Sequence, residues 1–162
     1  MTLGGTAHHI RKNIDGHELT IIAVDPLANE YDEILKRYDI SPLVRTQYCD
    51  AEQLSEKFSN TFFDLIHIRN ALDHSYDPLK GIEEMLKVLK ENCFIFMSHS
   101  TNEAEKENYV GFHQWNFCQD GDRFVIWNGS ARIDVNEALR KKAEVVVVHG
   151  NADWNTVEIR KY

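Results

Sequence analysis

The chain has 162 residues, and its 18 Lys and Arg stand against 26 Asp and Glu for a formal charge of −8. That length is one domain's worth, and 43% hydrophobic content supplies enough apolar side chain for a core. The negative charge disfavours a grip on nucleic-acid phosphates or an anionic membrane, and no apolar run approaches the roughly 20 residues of a membrane span.

In chain order, the first ten residues contain no strand-like run, so the chain reads as starting in mid-motif. Leu19 to Val24 is apolar and β-rich and stops at Asp25-Pro26, where the residue before proline is pushed to extended geometry. It reads as a buried strand with a carboxylate at its C-terminal end. Leu27, Ala28, Tyr31, Ile34, Leu35 and Tyr38 recur at helical spacing and predict an amphipathic helix ending before Ser41-Pro42. Val44 to Tyr48 is strand-like up to Cys49-Asp50, a short helical piece reaches Phe58, and Phe63 to Ile68 is the next apolar run. Asp77 is an N-cap with Pro78 at the first helical position, and Leu79, Ile82, Met85, Leu86 and Leu89 form one face of that helix. Cys93 to Ser98 follows as a strand. Alternation at these lengths predicts an α/β fold of the doubly wound class, a mostly parallel sheet covered on both faces.

After Thr101 the rhythm changes. Glu103 to Gly121 is polar and aromatic, and Phe124 to Trp127 and Ser130 to Ile133 flank Asn128-Gly129, a strong hairpin signal. Residues 101–133 are therefore expected as an insertion covering the active site, within a single domain over 1–162. Asp134 with Glu137 predicts a capping box for a helix to about Ala143, and Glu144 to Val148 and Trp154 to Ile159 close the chain as two strands, with antiparallel pairing expected at the C-terminal end. The cysteines Cys49, Cys93 and Cys118 are odd in number and lack a CxxC pair, so neither a disulfide framework nor a thiolate zinc site is expected. A reducing, cytoplasmic setting is the default, and no signal-peptide core is seen.

Ligands of an open α/β sheet bind beyond the carboxyl ends of its strands. Three successive strands here end in polar groups: Asp25, then Asp50, then Arg69-Asn70 with Asp73-His74. Each aspartate alone reads equally well as a helix cap; their joint position favours a ligand.

At this point the chain resembles the class I S-adenosylmethionine (SAM)-dependent methyltransferases, in particular the type 11 group. The resemblance lies in Ala23-Val24-Asp25-Pro26-Leu27-Ala28, in Cys49-Asp50-Ala51-Glu52-Gln53-Leu54 and in Phe63 through His74, and it continues from Pro78 to Asn92. It implies a Rossmann-like fold and SAM as cofactor. Asp25, followed by Pro26, matches the acidic residue that accepts hydrogen bonds from the ribose hydroxyls. Asp50 matches the partner of the adenine amino group, with the Ala51 backbone near the ring nitrogens, and Arg69 and Asn70 match the segment beneath the methionine moiety. Two departures stand out. Lys90-Glu91-Asn92-Cys93 replaces a proline-glycine-glycine turn, and the family's first strand with its glycine-rich loop is expected to be missing, with Leu3-Gly4-Gly5 as its tail. That strand is central in the family sheet, so its loss leaves a gap between the Leu19 and Phe63 strands. Either those strands close on each other, another chain fills the slot in a homo-oligomer, or the chain is a truncated gene product.

Methyl transfer to a hydroxyl needs a base, and histidine titrates near neutrality. His74 and His113 are the catalytic candidates, and Gln114 and Trp115 beside His113 offer an amide and an aromatic wall for the acceptor. Phe112, Trp115, Phe117 and Trp127 read equally well as a hydrophobic cluster pinning the insertion. His99, also just past a strand end, and the strand residue His67 read as packed or capping residues. No metal site is expected, since His99, His113 and His149 lack any metal-ligand spacing. The leading function is SAM-dependent methyl transfer to a small-molecule or carbohydrate-like acceptor. A non-catalytic methyltransferase-like remnant acting as an interaction module, and another Rossmann-like nucleotide binder, are the alternatives.

Overall fold

A computed structural model describes residues 1–3, 13–150 and 153–162. In chain order the elements are β1 (Thr2–Leu3), β2 (Asn13–Ile14), β3 (His17–Glu18), β4 (Ala23–Val24), α1 (Ala28–Arg37), β5 (Thr46–Gln47), α2 (Leu54–Lys57), β6 (Phe63–Arg69), α3 (Pro78–Val88) and β7 (Leu89–Ser100). They continue through α4 (Glu103–Lys106), β8 (Asn116–Asp120), β9 (Arg123–Trp127), β10 (Arg132–Asp134), α5 (Val135–Leu139), β11 (Ala143–Gly150) and β12 (Trp154–Lys161). Single 3-10 turns at Ala51–Gln53 and Leu72–His74 follow β5 and β6.

The main sheet has seven strands in the order β11-β12-β7-β6-β1-β4-β5. From β5 to β7 all neighbours are parallel, whereas β12 runs antiparallel to both β7 and β11. This is the mixed α/β, Rossmann-like arrangement expected from the alternation of elements. The expected gap is absent. Thr2 and Leu3 pair with Ala23 and Val24 on one side and with His67 and Ile68 on the other, so a two-residue strand of this same chain occupies the central slot. Backbone bonds extend the seam: the His67 N–H donates to the Met1 carbonyl over 2.8 Å, and the Thr2 N–H to the Ile22 carbonyl over 3.0 Å. A two-residue strand carries no readable period in the sequence; Gly4 and Gly5 lie outside the described residues.

Alternation along β6 and β7 sends Ile66, Ile68, Ile95 and Met97 to one face, where they are fully buried with Ile82 and Met85 of α3. Leu65 and Phe94 on the opposite face remain partly exposed, so the cover expected on both faces is thinner there among the described residues. Helix α3 starts as its sequence dictates: Asp77 Oδ1 accepts from the Lys80 N–H at 3.0 Å, with Pro78 behind it. The segment expected as a cover contributes to the core. Its strands β8, β9 and β10 form a second antiparallel sheet, and Phe117, Phe124 and Ile126 from it are buried in the main core. The Asn128-Gly129 hairpin is present, but its turn spans four residues because Trp127 pairs with Arg132, and Asn128 Oδ1 accepts from the Ser130 and Ala131 N–H groups. Asp134 caps α5 through the Glu137 N–H, although that helix stops at Leu139, ahead of the expected end. No helix among the described residues is long and apolar enough to cross a membrane.

Candidate active site at the carboxyl ends of the parallel strands

A cleft of about 490 Å³ opens beyond β4, β5 and β6. Asp25, Pro26, Asp50, Ala51, Arg69, Asn70 and His74 all line it, together with Tyr31, Tyr76 and Phe112. The strand ends read from sequence thus converge in space. Asp25 is buried at the tip of β4: its Oδ1 accepts from the Leu27 N–H at 2.8 Å, and the Tyr31 hydroxyl hydrogen-bonds the same carboxylate. Burial, and then the Asp25 charge, push the Tyr31 hydroxyl above its usual range. Asp50 Oδ2 accepts from the exposed Tyr48 hydroxyl at 3.1 Å.

The wall carrying Asp50 and Ala51 is fastened to α3 at two points. Glu52, buried although acidic, accepts the Asp77 N–H on Oε1 at 3.0 Å. Gly81 of α3 lets the turns approach, since a Cβ there would lie 3.3 Å from Ala51 Cβ and 3.1 Å from Leu72 Cδ1. Asn70 leaves β6 with φ of 44°, a left-handed conformation that asparagine tolerates, and its Oδ1 accepts the Ser100 N–H at 3.0 Å. The Arg69 guanidinium lies 5.5 Å from the ring centroid of Trp154, so this side chain stacks on β12 at the cleft edge.

The histidine candidates are brought together, and with a partner the spacing did not reveal. Asp73, at 1% exposure, places Oδ2 2.7 Å from His113 Nδ1 and 3.3 Å from His74 Nε2, and the two ring nitrogens are 3.2 Å apart. His74 lines the cleft and His113 does not. The Asp73 carbonyl accepts both the Gln114 N–H, at 3.0 Å, and the Trp115 N–H, at 3.3 Å, which holds residue 113 beside residue 73. Gln114 and Trp115, expected at the acceptor, do not line the cleft. The Gln114 amide donates to the Gly111 carbonyl, and Trp115 packs against the core. Phe112 supplies the aromatic wall instead. The loop bearing it is closed at its base by buried Asn116, whose Oδ1 accepts the Glu105 N–H and whose Nδ2 donates to the Tyr109 hydroxyl, each at 2.9 Å. The aromatic set therefore divides: Phe117 belongs to the core, Phe112 to the cleft, and the Trp127 Nε1–H bonds Asn102 Oδ1. His99 is buried and stacks on Phe117 at 4.3 Å between centroids; desolvation lowers it to about 4.

Several solved methyltransferases share this fold. The CurJ carbon methyltransferase is 14% identical, with 94% of this chain and 43% of that chain covered at a TM-score of 0.63. A SAM-dependent methyltransferase of Aquifex aeolicus is 14% identical, with 91% and 71% covered at 0.56, and the trans-methyltransferase CalH, solved with SAH, is 15% identical, with 92% and 45% covered at 0.56. This chain thus spans less than half of the CurJ and CalH chains. The sequence matches no curated protein significantly. A methyltransferase-domain model of type 11 matches residues 3–97, more than half of the chain. With that match, and the strand order and strand-end cleft just described, the chain belongs to the type 11 methyltransferase-domain family of the class I SAM-dependent methyltransferases.

Proposed function

We propose that the chain binds SAM in the Asp25, Asp50 and Asn70 cleft and directs its methyl group to a hydroxyl of a small-molecule or carbohydrate-like acceptor. The observation that carries this reading is the convergence of three strand-end polar residues on one cleft. Asp25 would hold the ribose diol, because two hydroxyl donors suit one carboxylate. Asp50 would take the adenine amino group against the Ala51 backbone, and Arg69 and Asn70 would line the methionine end. When bound, the cofactor supplies an electrophilic methyl on a cationic sulfur, and the protein's part is alignment and removal of one proton. His74 suits the proton: it lines the cleft, its Nε2 meets the His113 ring that hydrogen-bonds Asp73, and an N–H on Nε2 turned to Asp73 Oδ2, 3.3 Å away, would leave the Nδ1 lone pair as the acceptor. Asp73 and His113 are then positioning residues. The 101–133 segment contributes Phe112 to the wall and serves as the cover.

Titration calorimetry with S-adenosylhomocysteine and SAM tests the cofactor step. Saturable binding is expected, and absence of heat at millimolar ligand would sink the proposal.

A further inference from the structure

Asp73, His74 and His113 come from two segments about 40 residues apart, yet their polar atoms form a closed triangle with sides of 2.7, 3.2 and 3.3 Å. Three ligands bonded to one ion at zinc distances in a tetrahedron lie about 3.3–3.4 Å from each other. Two sides of the triangle already have that length, and only the Asp73–His113 side must open. The carboxylate is held ready. Asp73 is buried, its Oδ1 has no hydrogen-bond partner, and its ion-pair contacts among the described residues are with these two histidines. A buried carboxylate partnered by two imidazole rings, with Oδ1 left unbonded, would have its desolvation offset by a cation in the triangle. The backbone bonds from Gln114 and Trp115 to the Asp73 carbonyl fix the two segments before any ion arrives.

We propose that Asp73, His74 and His113 bind one divalent transition-metal ion of the zinc type through Oδ2, Nε2 and Nδ1, with a fourth position open. Two imidazole nitrogens and one carboxylate select such an ion over magnesium or calcium, which take oxygen ligands. The site stands on its own geometry, whether or not SAM binds. For the base it has one consequence that does rest on the methyl-transfer reading. A neutral imidazole carries one N–H, so an ion on His74 Nε2 confines that proton to Nδ1 and removes the lone pair that would accept the acceptor's proton. Ion and base exclude each other at His74.

Tag-free full-length protein would be dialysed with zinc, then against metal-free buffer, and its metal content measured; cobalt(II) absorption would report the ligand geometry. One equivalent of zinc and a four-coordinate cobalt spectrum are expected, with affinity weakened at least about ten-fold in His74→Ala and in His113→Gln. His74 is exposed, so His74→Ala should melt like the parent protein, and circular dichroism checks both variants. No zinc retained by the parent, or equal retention by both variants because other histidines bind it, overturns the site. S-adenosylhomocysteine calorimetry on the same samples separates the two readings: zinc without nucleoside binding leaves the metal site and removes the methyl-donor reading, and nucleoside binding without zinc does the reverse.

Discussion

The two halves of the main sheet are built on different scales. Strands β7, β12 and β11 run 12, 8 and 8 residues, whereas β1, β4 and β5 have two each. In the long half the β12–β7 ladder is continuous from Trp154 opposite Ser100 to Arg160 opposite Phe94, and it buries Ile95, Met97, Val157 and Ile159. The short half offers two rungs per strand pair, yet it carries the cleft's Asp25 and Asp50. Its walls depend on fastenings outside the ladder, such as Glu52 to Asp77 and the close approach at Gly81. The long ladders thus lie apart from the cleft's two carboxylates, and the short half is the one that a bound molecule would order most.

The comparison can be broken first by stability. Ile95→Ala, in the long half at full burial, should cost about 3–4 kcal/mol, and Val24→Ala, in the short half, about half as much, both from urea unfolding. Equal costs would mean that the halves share one core evenly. The acid limb comes next. His99 of β7 is held down to about 4 by desolvation, with Asp73 pulling up and His74 pushing down, while an unfolded histidine titrates near 6.5. Between those values the unfolded chain binds a proton that the native chain does not. This contribution is therefore complete above about pH 6.5 and shrinks as pH falls toward 4, by roughly 3 kcal/mol in all. Unfolding compared at pH 7 and pH 4.5 should show a smaller loss in His99→Phe, which keeps a ring against Phe117; identical losses would remove His99 from the account. Ligand binding sharpens the contrast from the other side: Asp25→Ala should weaken S-adenosylhomocysteine about 100-fold in calorimetry, the scale of two lost charged hydrogen bonds, while the β7–β12 amides keep their exchange protection.

What was legible in the sequence follows from how locally each feature is encoded. The Asp77-Pro78 helix start, the α1 stripe and the strand-end carboxylates are written within a few residues, and fold and cleft wall followed from them. Thr2–Leu3 is not legible, because its place as a strand depends on two neighbours 21 and 65 residues away rather than on its own pattern. Strand β8 was hidden for a related reason: Asn-Phe-Cys-Gln-Asp looks like loop, and only the buried Phe117 and the ladder to β9 make it a strand. His74 and His113 stand out as histidines past strand ends, whereas the role of Asp73 is not legible, since their meeting depends on the Asp73 carbonyl receiving the Gln114 and Trp115 amides.

Asn116 ties both ends of its loop at one buried amide, and beyond that knot Val110, Gly111 and Phe112 are exposed, with Phe112 lining the cleft. Those three positions form a cassette. On the proposed methyl-transfer reading, a library randomised at Val110 and Phe112, with Gly111 kept for its φ of 67°, would vary the surface offered to an acceptor while the knot and the core beneath it stay as they are. The architecture thereby separates an exposed loop tip that can be varied from the buried knot beneath it that must remain fixed to fold.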